Sequence, residues 1–172
     1  MCFWGWKKKD PEEPADHALG RSRGGFSTKI HIVCNSAGCP LHFHLTAGQA
    51  HESTTVDVLL DETDKAVRDI KGDPVAWPLA LAGDKGYRAD WIDELLLSLG
   101  IKPVIPSRDC EVPSRRPIEF DPQQYKQRNI VERLVGWLKE FRRVFSRFEK
   151  TAKNYAGMIK LAMTQLYLRW TV

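Results

Sequence analysis

The feature that most constrains the fold is a strand, a helix and a second strand in succession between residues 77 and 106. The run 77–83 is apolar and predicts a short strand buried on both faces. The run 89–99 has apolar residues at helical spacing and is followed by Gly100, which predicts a helix ending there. The run 101–106 predicts the second strand. Because strands joined through a helix run parallel, the sequence predicts an α/β sheet.

A β-hairpin is predicted upstream, from two β-rich runs, 28–34 and 40–46, around the turn residues 35–38. A zinc site is the alternative reading of its polar side chains, which are Cys34, Cys39, His42 and His44. No Cys-x-x-Cys pair is present, and the histidines alternate with apolar residues as one polar strand face would. We therefore favour the hairpin without zinc.

The predicted hairpin is flanked by a linker and a helix. Residues 1–25 are predicted to be a polar lead-in, with the domain proper at 26–172. Residues 54–67 predict a helix, and Ser53 or Thr54 could cap it.

Two more helices are predicted near the end of the sequence, at 122–148 and 151–169. The first is amphipathic. Its predicted core residues are Ile130, Leu134, Trp137, Leu138, Phe141, Val144, Phe145 and Phe148. Its polar side carries Tyr125, Arg128, Glu132 and Lys139, whose spacings return to one face of a helix. The second helix is predicted to bury Tyr155, Met158, Ile159, Ala162, Leu166 and Leu168.

The composition is that of a globular protein of 172 residues, with 42% hydrophobic and 28% charged residues. No apolar run is long enough to span a membrane, and the Cys residues are few and irregularly spaced. We therefore expect a cytoplasmic protein. The net charge of +4 is concentrated: residues 125–153 carry a net +6, so the rest carries about −2. This distribution predicts a polyanionic partner, the alternative being a solvated helix face with salt-bridged charges.

Two carboxylates are candidates for chemistry. Asp84 follows the predicted strand 77–83, where open α/β sheets place their ligands, although a turn or cap role is the alternative. Glu132 lies on a helix that could pack across the same sheet end. Converging carboxylates are typical ligands of Mg²⁺, and two such ions can cut and join phosphodiesters. Tyr125, Arg128 and Lys139 would then hold phosphates.

The spacing of Tyr125, Arg128, Glu132 and Lys139 reproduces a known signature, with 2, 3 and 6 residues between them. It is similar to the Tyr-Arg-Glu-Lys signature of bacterial insertion-sequence transposases of the DDE type. The runs that also resemble this family, in its order, are 20–31, 45–51, 82–87 and 104–108. The resemblance covers roughly residues 7–172.

This resemblance implies an RNase H-like fold, a mixed sheet flanked by helices, and an Asp-Asp-Glu triad that binds Mg²⁺. Asp84 matches the second Asp and Glu132 the Glu, so both are expected to be catalytic and to hold metal. The implied activity is DNA transposition: hydrolysis at the transposon ends, then transfer of the 3′-hydroxyl to target DNA.

The resemblance also implies DNA as the partner. Tyr125, Arg128 and Lys139 match the family's contacts to the transposon end, and Arg142 and Arg143 continue the basic helix. We expect no membrane partner, a nucleoid-associated location, and oligomers only in the DNA complex.

One part of the family pattern is missing. The first Asp belongs on the first, central strand, but residues 1–19 contain no strand-like run ending in Asp, and Asp10 and Asp16 lie in polar surroundings. We therefore expect the downstream part of a transposase, either the second of two reading frames or a truncated relic, inactive alone. An upstream-frame product could supply the first Asp. The alternative is a non-catalytic DNA-binding remnant or regulator of transposition.

Overall fold

The computed structural model describes residues 13–111, 116 and 118–170. Asp10 and the rest of the predicted lead-in before residue 13 lie outside this part. The chain divides into two compact units. The terminal unit comprises 1–29, 45–49 and 138–172, and the central unit comprises 30–44 and 50–137.

The described residues form a mixed α/β fold. The strands are β1 Gly20–Ser22, β2 Gly25–Cys34, β3 Pro40–Ala47, β4 Ala80–Ala82 and β5 Lys102–Val104. The helices are α1 Val56–Ala66, α2 Asp90–Ser98, α3 Pro122–Lys126, α4 Asn129–Glu140, α5 Arg142–Ser146 and α6 Ala152–Trp170. Single 3₁₀ turns cover Glu52–Thr55 and Lys85–Tyr87.

The strands form two sheets. One has the order β1-β2-β3, with β1 antiparallel to β2, and the other is the parallel pair β4-β5. The predicted neighbours 28–34 and 40–46 are thus confirmed as adjacent strands, and the predicted parallel pair is confirmed too. Both predicted strands 77–83 and 101–106 are shorter in the structure, with three residues each in regular pairing.

The core of the central unit is built around α2. Ile92 and Leu96 of α2 are fully buried and pack with Ile101 at the start of the second parallel strand. Gly100 has a φ of +73°, a left-handed conformation that suits glycine, and α2 ends before it as predicted. The other buried members of this cluster are Val56, Leu60 and Ile105.

Arg147 connects several segments of the terminal unit. Its guanidinium donates hydrogen bonds to the carbonyl oxygens of Ala18, at 2.8 Å, and His17, at 2.5 Å. It also lies 5.0 Å from the ring centroid of Tyr155. The Tyr155 hydroxyl in turn donates to the carbonyl of Val144 at 2.7 Å. These contacts join α5 and α6 to the segment before β1.

The predicted single helix over 122–148 is wrong, because the structure divides it into α3, α4 and α5. Between α3 and α4 the backbone hydrogen bonds join residues three apart instead of four. The Arg128 N–H bonds the Tyr125 carbonyl and the Val131 N–H bonds the Arg128 carbonyl, both at 2.9 Å. Phe141 is extended, with φ −76° and ψ 103°, and separates α4 from α5. Neither break involves a Pro or Gly, so the composition gives no warning of them.

The break at Phe141 explains errors in the predicted core. Leu134, Leu138 and Val144 are buried as expected, but Phe145 and Phe148 are 68% and 60% exposed. Helical periodicity loses its phase where the backbone leaves the helix, so positions counted through the break fall on the wrong side. Five other predicted core residues also differ: Trp137 and Leu168 are exposed, and Ile130, Phe141 and Met158 are half-buried.

The lead-in prediction also misses ordered structure. Gly20–Ser22 form β1, and Glu13 caps α6, its carboxylate accepting from the backbone N–H groups of Ala152 at 2.7 Å and Lys153 at 2.9 Å. Similarly, the 3₁₀ turn before α1 is capped by His51 rather than Ser53 or Thr54. Burial alone would raise the pKa of Glu13, but hydrogen bonds from His17 and from these backbone groups lower it.

We predict that Glu13→Gln lowers the free energy of unfolding by about 1 kcal/mol at neutral pH, because α6 loses its charged cap. The pKa of Glu13 is lower in the folded chain, so this stabilisation exists above the ordinary carboxyl pKa and disappears as the pH falls through the folded value. Urea unfolding across that range should show the two proteins converging. Glu140→Gln, at an exposed helical Glu, is the matched control; a pH-independent gap between wild type and Glu13→Gln would contradict this assignment.

Candidate functional site

Asp84 lies immediately beyond β4, at the carboxyl end of the parallel pair. The preceding residue is tied to β5, because the Gly83 N–H donates to the Val104 carbonyl at 3.3 Å. Asp84 also caps the 3₁₀ turn, its Oδ1 accepting from the Gly86 N–H at 2.8 Å. The predicted position of Asp84 after a strand of the parallel pair is therefore confirmed. The same side chain also acts as a cap, which was the alternative role. No described residue hydrogen-bonds Oδ2.

A buried polar group, which the sequence did not predict, includes Tyr87, three residues after Asp84. The Tyr87 hydroxyl lies 2.8 Å from Nδ1 of His31, which is 2% exposed, and Oγ1 of Thr55 lies 3.3 Å from the same nitrogen. Burial raises the pKa of Tyr87, and the charges of Asp84 and Glu52 raise it further. The Lys-Gly-Tyr sequence after Asp84 was the only local signal for this group.

Gly86 brings Asp84 close to a third carboxyl group, that of Glu52. A Cβ atom added at Gly86 would lie 2.9 Å from Asp84 Oδ1 and 3.3 Å from Glu52 Cδ. Both side chains therefore lie against the same backbone position, and a methyl group added there would displace the Asp84 carboxylate. The packing of the two 3₁₀ turns thus determines where the Asp84 carboxylate lies.

Arg128 contacts two of the other three signature residues, Tyr125 and Glu132. The Arg128 guanidinium bonds Oε1 of Glu132 at 2.5 Å and lies 5.3 Å from the ring centroid of Tyr125. Glu132 is 61% exposed at its side chain, so the pair is open to solvent. The predicted cluster exists, although Tyr125 lies on α3 and Glu132 on α4. The tight turn between these helices produces the contact.

The other predicted DNA contacts are exposed cations. Lys139 lies seven residues after Glu132 on α4, about two turns along the same helix face. Arg143 pairs with Glu149 at 3.1 Å. Neither Lys139 nor Arg142 forms an ion pair with a described residue.

Lys85 follows Asp84 directly and forms an ion pair. Its ammonium bonds Asp109 at 2.6 Å, and this bond, with a smaller contribution from Tyr125, raises the pKa of Lys85. The two candidate carboxylates share no hydrogen-bond partner in the described part of the chain: Gly86 bonds Asp84 and Arg128 bonds Glu132.

The described residues contain no group of three or more His, Cys, Asp or Glu side chains arranged to hold a metal ion. His42 and His44, the residues of the alternative zinc reading, both reach Glu62 Oε2, at 3.3 and 2.9 Å. This contact confirms that the two histidines share one face of β3.

Comparison with known proteins gives a consistent result. The family described as the transposase DDE domain matches residues 3–166. A protein named for the transposase of insertion sequence element IS402 of Burkholderia cepacia is 33% identical over 158 residues, which are 92% of this chain and 67% of that protein. A protein named for the transposase of IS6501 of Brucella ovis is 29% identical over 143 residues, 83% of this chain and 99% of that protein.

No solved structure matches the chain significantly. In the described part of the chain, no helix is both long enough and apolar enough to cross a membrane.

We predict that Gly86→Ala displaces the Asp84 carboxylate, because the new methyl group would clash with Asp84 Oδ1. Loss of the cap should lower the free energy of unfolding by about 1 kcal/mol, measured in urea. Gly136→Ala is the control: it lies on α4 with open space around it, so the same change should be neutral or stabilising by up to about 1 kcal/mol. Equal stability of the Gly86→Ala variant and wild type would show that Asp84 does not depend on this glycine.

Proposed function

This chain belongs to the transposase DDE domain family, and from that premise we propose that it is part of an insertion-sequence transposase. The family acts in DNA transposition. In our proposal the completed protein binds transposon-end DNA, cleaves it with the help of Mg²⁺ and transfers the strand to target DNA. The observation that carries the proposal is the position of Asp84 at the carboxyl end of a parallel strand.

Asp84 and Glu132 are proposed to hold the metal and thereby to be the catalytic residues of this chain. Each carboxylate has one oxygen engaged, by Gly86 and by Arg128, and no described residue hydrogen-bonds the other. Such carboxylates suit Mg²⁺, which takes few protein oxygens and completes its shell with waters and phosphate. An ion held by these carboxylates would supply activation of an attacking water or 3′-hydroxyl and stabilisation of the leaving oxygen.

The cations are proposed to bind DNA. Arg128 is already oriented by the ring of Tyr125 and by Glu132, so it can bond a phosphate with little loss of side-chain freedom. Lys139, Arg142 and Arg143 are exposed and would contact further phosphates. We propose that these contacts position the transposon end, while Asp84 and Glu132 act on the phosphodiester.

An RNase H-like fold, with residues 26–172 as its incomplete catalytic domain, is part of the proposal. In such a fold a first strand ending in Asp stands beside β4, and no described strand pairs with that side of β4. We propose that a strand of this kind, carrying the first Asp, completes the catalytic site.

We predict that Glu132→Gln in the completed transposase lowers Mg²⁺-dependent nicking of transposon-end DNA by at least about 100-fold. Removing a group that hydrogen-bonds a metal ligand typically lowers activity by about 10–100-fold, and removing the ligand itself should cost more. Glu140→Gln, at an exposed Glu on the same helix, should stay within a few-fold of wild type. Cleavage that survives Glu132→Gln would refute the catalytic assignment. Metal-independent DNA binding without any cleavage by the completed protein would favour the regulator instead.

We predict a second effect, on the salt dependence of DNA binding. Replacing Arg142 and Arg143 together by Gln removes two proposed phosphate contacts, so the slope of log K against log salt should fall by about 1.8. The matched control is Lys160→Gln, an exposed cation on α6. Titration of duplex DNA at several salt concentrations gives the slopes, and an unchanged slope in the double variant would exclude both arginines from the DNA contact.

A further inference from the structure

The two 3₁₀ turns bring the carboxyl groups of Glu52 and Asp84 together. A Cβ atom added at Gly86 would lie 2.9 Å from Asp84 Oδ1 and 3.3 Å from Glu52 Cδ. Because both atoms are measured from one point, they are no farther apart than the sum of these two distances. The structure therefore places a second carboxyl group beside the one at the carboxyl end of β4.

The close approach of both carboxyl groups depends on the absence of a side chain at Gly86. This glycine does not have a positive φ, so its backbone conformation does not itself require glycine. A side chain there would also meet Glu52 Cγ, at 3.2 Å from the added Cβ. The Gly86 N–H meanwhile donates to Asp84 Oδ1 at 2.8 Å. Gly86 is thus a cradle that a larger residue would fill, and it lets two acidic side chains share one backbone position.

His31 connects the two turns from below the surface. Its Nδ1 lies 2.8 Å from the hydroxyl of Tyr87, in the second turn, and 3.3 Å from Oγ1 of Thr55, in the first. The Thr55 hydroxyl also donates to the Glu52 carbonyl at 2.8 Å. His31 is 2% exposed, so this connection is shielded from water. Buried hydrogen bonds of this kind hold ligand side chains in place before an ion binds.

Holding the two carboxylates together is electrostatically unfavourable unless a cation is present. Both residues are half-buried, and like charges at such positions disfavour each other. Within the described part of the chain Asp84 forms no ion pair, and the ammonium of the adjacent Lys85 bonds Asp109 instead, at 2.6 Å. A divalent cation bound between the two carboxylates would remove this repulsion.

We infer that Glu52 is a further carboxylate of the metal site and binds the same Mg²⁺ as Asp84; the inference rests on the proposed function, which assigns a metal to Asp84. Rotation of the two side chains is enough to direct one oxygen of each at a common ion, because both already lie against Gly86. Mg²⁺ takes one or two protein carboxylates in such sites, and waters and phosphate oxygens complete its shell. Glu52 and Asp84 together meet that requirement.

The experiment uses the full chain and Mn²⁺, an oxygen-binding substitute for Mg²⁺ whose free form is counted by electron paramagnetic resonance. Mn²⁺ is titrated into the millimolar range. We expect Glu52→Gln and Asp84→Asn each to weaken Mn²⁺ binding at least about tenfold, because each removes a ligand. Glu94→Gln, at an exposed Glu on α2, should bind Mn²⁺ as wild type does. Wild-type affinity in Glu52→Gln would overturn the inference.

A second measurement separates a metal ligand from a residue that only supports the fold. Urea unfolding of each protein is followed once with Mn²⁺ and once with EDTA. An ion that binds the folded chain raises the urea midpoint, and we expect a smaller rise in Glu52→Gln than in wild type or Glu94→Gln. A residue that only supports the fold would change both midpoints equally. An undiminished rise in Glu52→Gln would therefore contradict the inference.

Gly86→Ala tests the same site without removing a charge. Its methyl group would meet both carboxyl groups, so Mn²⁺ binding should again weaken at least about tenfold. Gly136→Ala, which has open space around it, should leave Mn²⁺ binding unchanged. Wild-type affinity in Gly86→Ala would show that the two carboxylates do not share an ion at this backbone position.

The variants distinguish failure of this inference from failure of the proposed function. Weaker Mn²⁺ binding in Asp84→Asn but not in Glu52→Gln would overturn the inference and leave the metal at Asp84. Equal binding by wild type and both of these variants, or no binding by wild type, would overturn the inference and metal binding by Asp84 together.

Discussion

The pairing of β4 with β5 is the interaction on which the site depends. It aligns the ends of two parallel strands, and the buried side chains of α2 hold the pair from one side. Asp84 follows directly, so its position is determined by backbone hydrogen bonds rather than by a flexible loop. This backbone geometry therefore supports the proposal of a catalytic carboxylate at the sheet end.

The charges of the signature residues determine which partners they can bind. In the chain alone, Arg128 neutralises Glu132 and rests on the ring of Tyr125. A divalent ion bound by Glu132 would neutralise its charge in place of Arg128 and leave the guanidinium for a phosphate oxygen. In our proposal the same three residues can therefore serve both metal and DNA. Because the pair is exposed, it contributes little to stability, and its presence is better explained by function.

The sequence predicted the parts of this arrangement that depend on local pattern. The strand before Asp84, the helix ending at Gly100 and the hairpin strands all follow from apolar periodicity and turn residues. The breaks at Arg128 and Phe141 do not, because the apolar spacing continues through them, and so the exposure of Phe145 was missed. The cap by Glu13 and the contacts of Arg147 join residues more than a hundred positions apart, for which local pattern carries no signal.

The central claim is that Asp84 and Glu132 bind the same metal centre in the completed transposase. Fe²⁺ substituted for Mg²⁺ cuts the polypeptide next to its ligands when ascorbate and peroxide are added, and mass spectrometry identifies the cut positions. The account predicts cuts clustered around residues 84 and 132 in the complex with transposon-end DNA, and their loss when excess Mg²⁺ competes. Cuts at only one of these positions, or at neither, would contradict it.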